Sequence, residues 1–182
     1  MEPDAGGRRG DRRLTTVPPE EPLRAWRYWQ TSPRRRLRSV AQRHIEWQPG
    51  RAVNAVCVGG GHPAPDLGCW CGVSGARDLD TLKQHGLCVL PGPLVVGEVD
   101  LWGRVLEEPY GYRAQHALPA SIGLVAETLG DDDEEREAVI AAMERYGVPV
   151  TLVPLADAVA GATATMLEFQ VMSSRASRGG LG

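Results

Sequence analysis

The sequence predicts an α+β fold: a small antiparallel sheet or partial barrel with a long hairpin, a Cys/His loop and one longer C-terminal helix. Three observations carry that prediction. Gly and Pro number 22 and 14, about a fifth of the 182 residues, and aromatics only 5%, which favours loops and short strands over a helical bundle. Residues 94–118 show the period-two alternation of strands on both sides of a turn. The acidic run Asp131–Glu135 opens an apolar stripe of helical spacing, Val139, Ile140, Met143 and Tyr146, that stops at Gly147.

Taken in order, residues 1–21 hold almost nothing to bury and many turn formers, and are expected to be a disordered tail. A single α+β domain is expected over 22–153. In L-R-A-W-R-Y-W-Q, Leu23, Ala25, Arg27 and Trp29 alternate with Arg24, Trp26 and Tyr28, a strand with two usable faces. Pro33-Arg34-Arg35-Arg36-Leu37-Arg38 follows as a turn opening the next strand. Its arginines suit a phosphate or an acidic partner, or else form a solvated hairpin tip. Trp47-Gln48-Pro49-Gly50 supplies a turn, and residues 51–58 a small-residue strand.

Beyond the Cys/His loop, V-S-G-A continues as strand and residues 77–85 as a two-turn helix, with Asp78 or Asp80 as its cap and Gly86 at its end. On the outgoing hairpin strand Val99, Leu101 and Val105 share one face and Glu98, Asp100, Trp102 and Arg104 the other. On the return strand Tyr112, Ala114, His116 and Leu118 share a parity, with the His116 face toward the cysteine loop. Gly97 and Gly103 predict a bulge or the close approach of another backbone. After a mixed segment and the acidic helix, Val148–Val153 reads as a closing edge strand, because Pro149 cannot donate to a ladder. Residues 154–182 read as a weakly structured segment, helical at most near 155–160, and a flexible tail.

The chemistry concentrates in C-V-G-G-G-H-P-A-P-D-L-G-C-W-C-G. Three of the four cysteines and one of the four histidines fall within residues 57–71, spaced Cys57-x4-His62-x6-Cys69-x-Cys71. Thiolate and imidazole are the ligands of a soft divalent ion, and the intervening glycines and prolines let a short loop fold back to offer four of them. A complete Cys3His set leaves no open position, so the reading is a structural Zn2+ site: metal ligands Cys57, His62, Cys69 and Cys71. Two readings compete with it, a redox-active pair at Cys69 and Cys71 and plain buried thiols. His62 also reads as an ordinary loop histidine. In that case the fourth ligand comes from Cys88, His85 or His116, although Cys88, within L-C-V-L, fits a small buried thiol better.

The net charge of −3 hides an asymmetry: residues 1–50 carry eleven Arg against six acidic residues, and residues 51–182 carry nine basic against seventeen acidic. No run of eighteen apolar residues and no secretory segment occurs, so the chain is expected to be soluble and cytoplasmic, without a membrane partner. There thiols stay reduced, and clustered cysteines more often hold metal than form disulfides. Phosphate-loop, G-x-S-x-G, H-E-x-x-H and deaminase motifs are absent. Glu107 and Glu108 beside Tyr110 and Tyr112 read as a hairpin turn before an acid–base pair.

The order A-W-R-Y-W, W-Q-P-G, H-P-A-P, C-W-C-G, L-W-G-R-V, G-Y-R-A and Y-G-V-P-V resembles a group of small, uncharacterised proteins of high-GC actinobacteria, over roughly residues 23–150. The resemblance implies that Cys57, His62, Cys69 and Cys71 act as one site with the Trp102–Arg104 and Tyr112–Ala114 segments beside it. V-S-G-A after Gly72 departs from the bulkier pair expected there.

Together these observations predict a non-enzymatic, zinc-stabilised binding module, its metal contributing on the order of 10 kcal/mol to folding. A protein is the expected partner, because only the N-terminal quarter is basic. Two alternatives stand beside it. One is a thiol redox switch or metal-dependent enzyme using Cys69 and Cys71. The other is nucleic-acid binding through Arg34, Arg35, Arg36 and Arg38. Trp102, Arg104, Tyr112, Arg113 and His116 are further possible contacts.

Overall fold

A computed structural model describes residues 12–86 and 92–161. It is α+β, with a mixed sheet that closes part of the way into a ring, three helices and a Cys/His loop. Nine strands follow in chain order: β1 (Arg13–Val17), β2 (Leu23–Thr31), β3 (Leu37–Ser39), β4 (Val53–Asn54), β5 (Val73–Ala76), β6 (Leu94–Glu108), β7 (Gly111–Pro119), β8 (Ile122–Val125) and β9 (Val150–Val153). The helices are α1 (Leu79–His85), α2 (Asp133–Glu144) and α3 (Leu155–Ala158).

The fifteen-residue β6 is the axis. Along one edge it pairs first with β2, from Leu94↔Gln30 to Leu101↔Leu23, and then with β1, from Gly103↔Val17 to Glu107↔Arg13. Along the other it pairs with β8 and then β7. The strand order β3-β2-β5-β7-β6-β8-β9, together with the β2–β6 pairing, closes the ring β2-β5-β7-β6.

The ring has an apolar inside and a covered outside. Ala25, Trp29, Leu37, Trp47, Val99, Leu101, Val105 and Ala117 fill one core cluster, joined by Val139 and Met143 of α2. The Trp29 and Trp47 rings meet edge to face, with centroids 5.4 Å apart. On the opposite face Tyr28, Leu82, Leu94, Val96 and Leu155 form a second cluster under α1 and α3. The two faces of β2 thus serve two cores, as its alternation predicts.

The glycines of β6 act in the two ways the sequence allows. Gly103 has φ 78° at a register shift, where Gly103 and Arg104 together oppose the step between His116 and Ala114. A Cβ on Gly97 would lie 2.1 Å from the Ser121 carbonyl oxygen, so only glycine allows β8 to approach. The register shift also overturns the expected parity of β7: Ala114 and Ala117 both enter the core, while His116 is half-buried outside it.

Several other expectations are corrected. Residues 13–17, assigned to a disordered tail, form β1, because Leu14, Thr15, Thr16 and Val17 are strand formers and the second half of β6 offers them an open edge. Residues 1–11 lie outside the described residues. The strand expected over 51–58 is reduced to Val53–Asn54. The mixed segment after Pro119 contains β8, which pairs in parallel with β9 across the α2 crossover, so the sheet is mixed rather than antiparallel. Residues 155–158, within the stretch where a helix near 155–160 is the most that is expected, form α3. Its Leu155 and Ala158 are buried and the Leu155 N–H donates to Glu127 Oε2 at 2.9 Å.

Among the described residues no helix is long and apolar enough to cross a membrane.

Candidate metal centre

The Cys/His loop is an excursion from one edge of β7. β4 pairs with β7 through Asn54↔His116, and β5 resumes the same edge at Val73↔Ala114. The chain leaves the sheet at Asn54 and rejoins it two β7 residues further along, so both ends of residues 55–72 are anchored side by side. Between them few apolar side chains are buried. Ala64 is, but Val56, Val58, Leu67 and Trp70 are exposed, Val58 at 92% and Trp70 at 81%.

The four predicted ligands converge. The ligand atoms of Cys57, His62, Cys69 and Cys71 all lie within 4.8 Å of one another. Cys57 Sγ is 3.6 Å from Cys69 Sγ, and Cys71 Sγ is 4.0 Å from His62 Nδ1. Around a tetrahedral zinc, with bonds of about 2.3 Å to sulfur and about 2.0–2.1 Å to nitrogen, neighbouring ligand atoms sit about 3.6–3.8 Å apart. The cluster is slightly wider than that, its three cysteines are free thiols, and it can hold a metal ion.

The loop's own sequence shapes it. A Cβ on Gly60 would come within 2.6 Å of the His62 ring and 3.2 Å of Cys57 Sγ, so glycine is what lets the imidazole fold over the first cysteine. Asp66 Oδ1 accepts from the Gly68 N–H at 2.8 Å and makes the turn that delivers Cys69. Gly72, at φ 117°, returns the chain to β5.

The hairpin holds the loop from below. Arg113, only 4% exposed, donates from Nη1 to the Cys69 carbonyl and, at 2.8 Å, to the Cys71 carbonyl, while Nη2 meets Glu108 Oε1 at 2.9 Å. Arg104 donates to the Pro65 carbonyl at 3.4 Å. The guanidiniums of Arg12 and Arg113 each lie 5.6 Å from the Trp70 ring.

Electrostatics separates the two cysteines of C-x-C. The Cys71 backbone N–H and then the Cys57 thiol draw Cys69 down to about 7, whereas burial, followed by the neighbouring Cys69, pushes Cys71 up. The Pro63 carbonyl raises His62. Metal binding displaces the protons these groups retain, as any thiolate site requires.

The remaining candidates lie elsewhere. His116 Nδ1 is 2.7 Å from Asn54 Oδ1 and its ring lies beside Trp102, so neither residue joins the ligand set. His85 stacks on Tyr110 at 3.9 Å. Cys88 lies outside the described residues. Tyr112 accepts from Arg77 at 3.0 Å, and Glu107 pairs with Arg77 at 3.1 Å. The arginine turn faces the protein's own acids. Arg35 forks onto Glu135 at 2.7 and 3.1 Å, Arg34 and Arg36 approach Glu46 at 4.0 and 3.6 Å, and Arg38 meets Gln30 at 3.3 Å. Sequence reasoning missed Arg12 and Glu108 as supports of the loop. Each depends on register, which no local pattern displays.

Comparison with protein-family models, with curated proteins and with solved structures gives no match.

Proposed function

We propose that the chain is a non-enzymatic protein-binding module, in which a structural zinc held by Cys57, His62, Cys69 and Cys71 clamps residues 55–72 for display to a partner protein. One observation carries this reading. Of the seven large apolar side chains exposed among the described residues, four (Val56, Val58, Leu67 and Trp70) sit on the loop that the ligands close. A surface that concentrates apolar groups in this way is suited to docking. With four protein ligands in reach, a closed site fits the geometry better than an open catalytic one. Sulfur donors favour zinc over harder ions. The nucleic-acid alternative loses support, since Arg34, Arg35 and Arg36 already face Glu46 and Glu135.

One observation favours a second reading, a thiol switch: the low pKa of Cys69 makes it a ready thiolate whenever metal is absent.

The deciding experiment is metal content with thiol titration on protein purified without added metal, followed by photo-crosslinking from position 58 in cells. The module predicts one zinc per chain, three cysteines protected until a chelator is added, and a discrete protein adduct that disappears in His62→Ala. Metal-free protein with freely reactive Cys69 and Cys71 would overturn it in favour of the switch.

A further inference from the structure

Over β2, β5 and β7, between α1 and the Cys/His loop, lies a cavity of about 470 Å³, within the usual range of small-molecule sites, about 300–1,000 Å³. Five aromatic side chains line it: Trp26 and Tyr28 of β2, Tyr110 at the hairpin turn, Tyr112 of β7 and Trp70 of the loop. The chain holds only five Trp, four Tyr and one Phe, so half of these side chains meet around one cavity.

We propose that this cavity binds a small, uncharged, planar aromatic molecule of one or two fused rings, packed against these side chains.

Core packing explains only part of the gathering. Tyr28 is buried in the cluster beneath α1, and Trp26 packs against the same cluster. Trp70 and Tyr110, in contrast, are 81% and 57% exposed, so neither owes its place to burial in a core. Large rings left wet beside a concavity mark a binding surface. Other members of the wall are already held in place. The Tyr28 hydroxyl donates to the Ala158 carbonyl at 2.6 Å, the Tyr112 hydroxyl accepts from Arg77 at 3.0 Å, and His85 of α1 stacks on Tyr110 with centroids 3.9 Å apart. Rings fixed before a ligand arrives lose little freedom when it binds. A flat π-system can meet them by offset or edge-on contact, which a saturated body cannot reproduce.

Charge narrows the class. Among the described residues the charged side chains in the wall are Arg12, Arg27 and Glu108. Arg27 is committed to Ser74 and Ser39, and Glu108 pairs with Arg113 at 2.9 Å and lies 3.9 Å from Arg12. A ligand cation would meet two guanidiniums, and a ligand anion would have to compete with Glu108 for Arg12. An uncharged ring disturbs neither. Four of the five aromatic side chains stand on the sheet and its hairpin turn, so the site does not depend on the zinc reading of the loop.

The test is a proton–nitrogen NMR titration of the intact, isotope-labelled protein with indole. It follows the indole N–H signals of Trp26 and Trp70, with that of Trp29, buried in the other core, as the control. The first two should shift saturably while the control stays in place. Trp70→Leu and Tyr110→Leu keep an apolar side chain and remove the ring. Each should weaken binding about fivefold to a hundredfold, the range for loss of one stacking contact. Indoleacetate and tryptamine, which carry the same rings with opposite charges, should both bind more weakly than indole. The absence of a saturable shift up to the solubility limit of indole, an equal shift of Trp29, or undiminished binding by either ring variant would each overturn the proposal. So would tighter binding of either charged analogue than of indole. If one variant fails to fold, the other decides, together with the charge series on the unaltered protein.

Discussion

The hairpin of β6 and β7 and the loop over 55–72 lie edge to edge, yet opposite forces hold them. In β6 the side chains of Leu94, Val95, Val96, Val99, Leu101, Val105 and Leu106 are buried, and ladders run along both edges. The loop has almost no ladder and turns Val56, Val58 and Trp70 outward. Burial of apolar area suffices for the first region. It does little for the second, which is tied by polar contacts from Arg104 and Arg113 and whose converging sulfur and imidazole groups can hold a metal ion. Where hydrophobic side chains point out of a loop that is nonetheless folded, the stabilising interaction has to be sought among its polar atoms.

The sharpest way to break that comparison is to damage each region separately. Leu101→Ala deletes a fully buried side chain in the ring and should cost about 2–5 kcal/mol of global stability while leaving one metal per chain. His62→Ala should do the reverse: bound metal falls toward zero, amide exchange accelerates across 55–72, and protection of β6 and β7 persists. Hydrogen exchange with metal analysis on both variants reads the two outcomes together. Collapse of ring protection in His62→Ala would show that the two regions fold as one unit.

A smaller effect is expected where the regions are tied together. Arg113 bridges the carbonyls of Cys69 and Cys71 to Glu108, so it orients the ligands from the sheet side. Arg113→Met keeps the bulk and removes the fork. Loss of such a supporting contact typically costs about tenfold to a hundredfold in metal affinity, which competition against a chromophoric chelator would measure. Unchanged affinity would mean that the loop sets its ligand geometry alone.

The sequence displayed these regions unequally. The Cys/His cluster was legible because Cys57, His62, Cys69 and Cys71 lie close along the chain, and local spacing largely determines whether they can meet. β2, β6, β7 and α2 were legible because each is long enough to show its period. β1 and β8 were not, since their residues become strands only by pairing with β6, the one at the edge β2 leaves free and the other where Gly97 gives room. The arginine turn misled for a related reason. Glu135 lies a hundred residues from Arg35, so a run that looks free along the chain is paired in space.

The smallest expected effect concerns a polar tie on the ring side. Tyr146, just past α2, donates its hydroxyl to the Trp47 carbonyl at 2.6 Å and accepts from the Leu37 N–H at 2.9 Å, closing the core over β3. Tyr146→Phe strands both partners and should lower stability by about 1–3 kcal/mol in chemical denaturation, with metal content unchanged. Burial holds the Tyr146 hydroxyl above its ordinary pKa of 10.0. The raised value means that the folded state keeps this proton more tightly than the unfolded chain. Its contribution is therefore complete below about pH 10 and is lost as pH rises through the folded value. The gap between wild type and Tyr146→Phe should narrow on that alkaline limb. On the proposed zinc reading the loop responds at the opposite end, because thiolate ligands take up protons and release metal as pH falls. Acid should therefore loosen residues 55–72 while the Tyr146 tie stands, and alkali should weaken the tie while the ligands stay ionised. A pH series of hydrogen exchange in which both regions failed together at either end would contradict the division between a ring held by burial and a loop held by ligation.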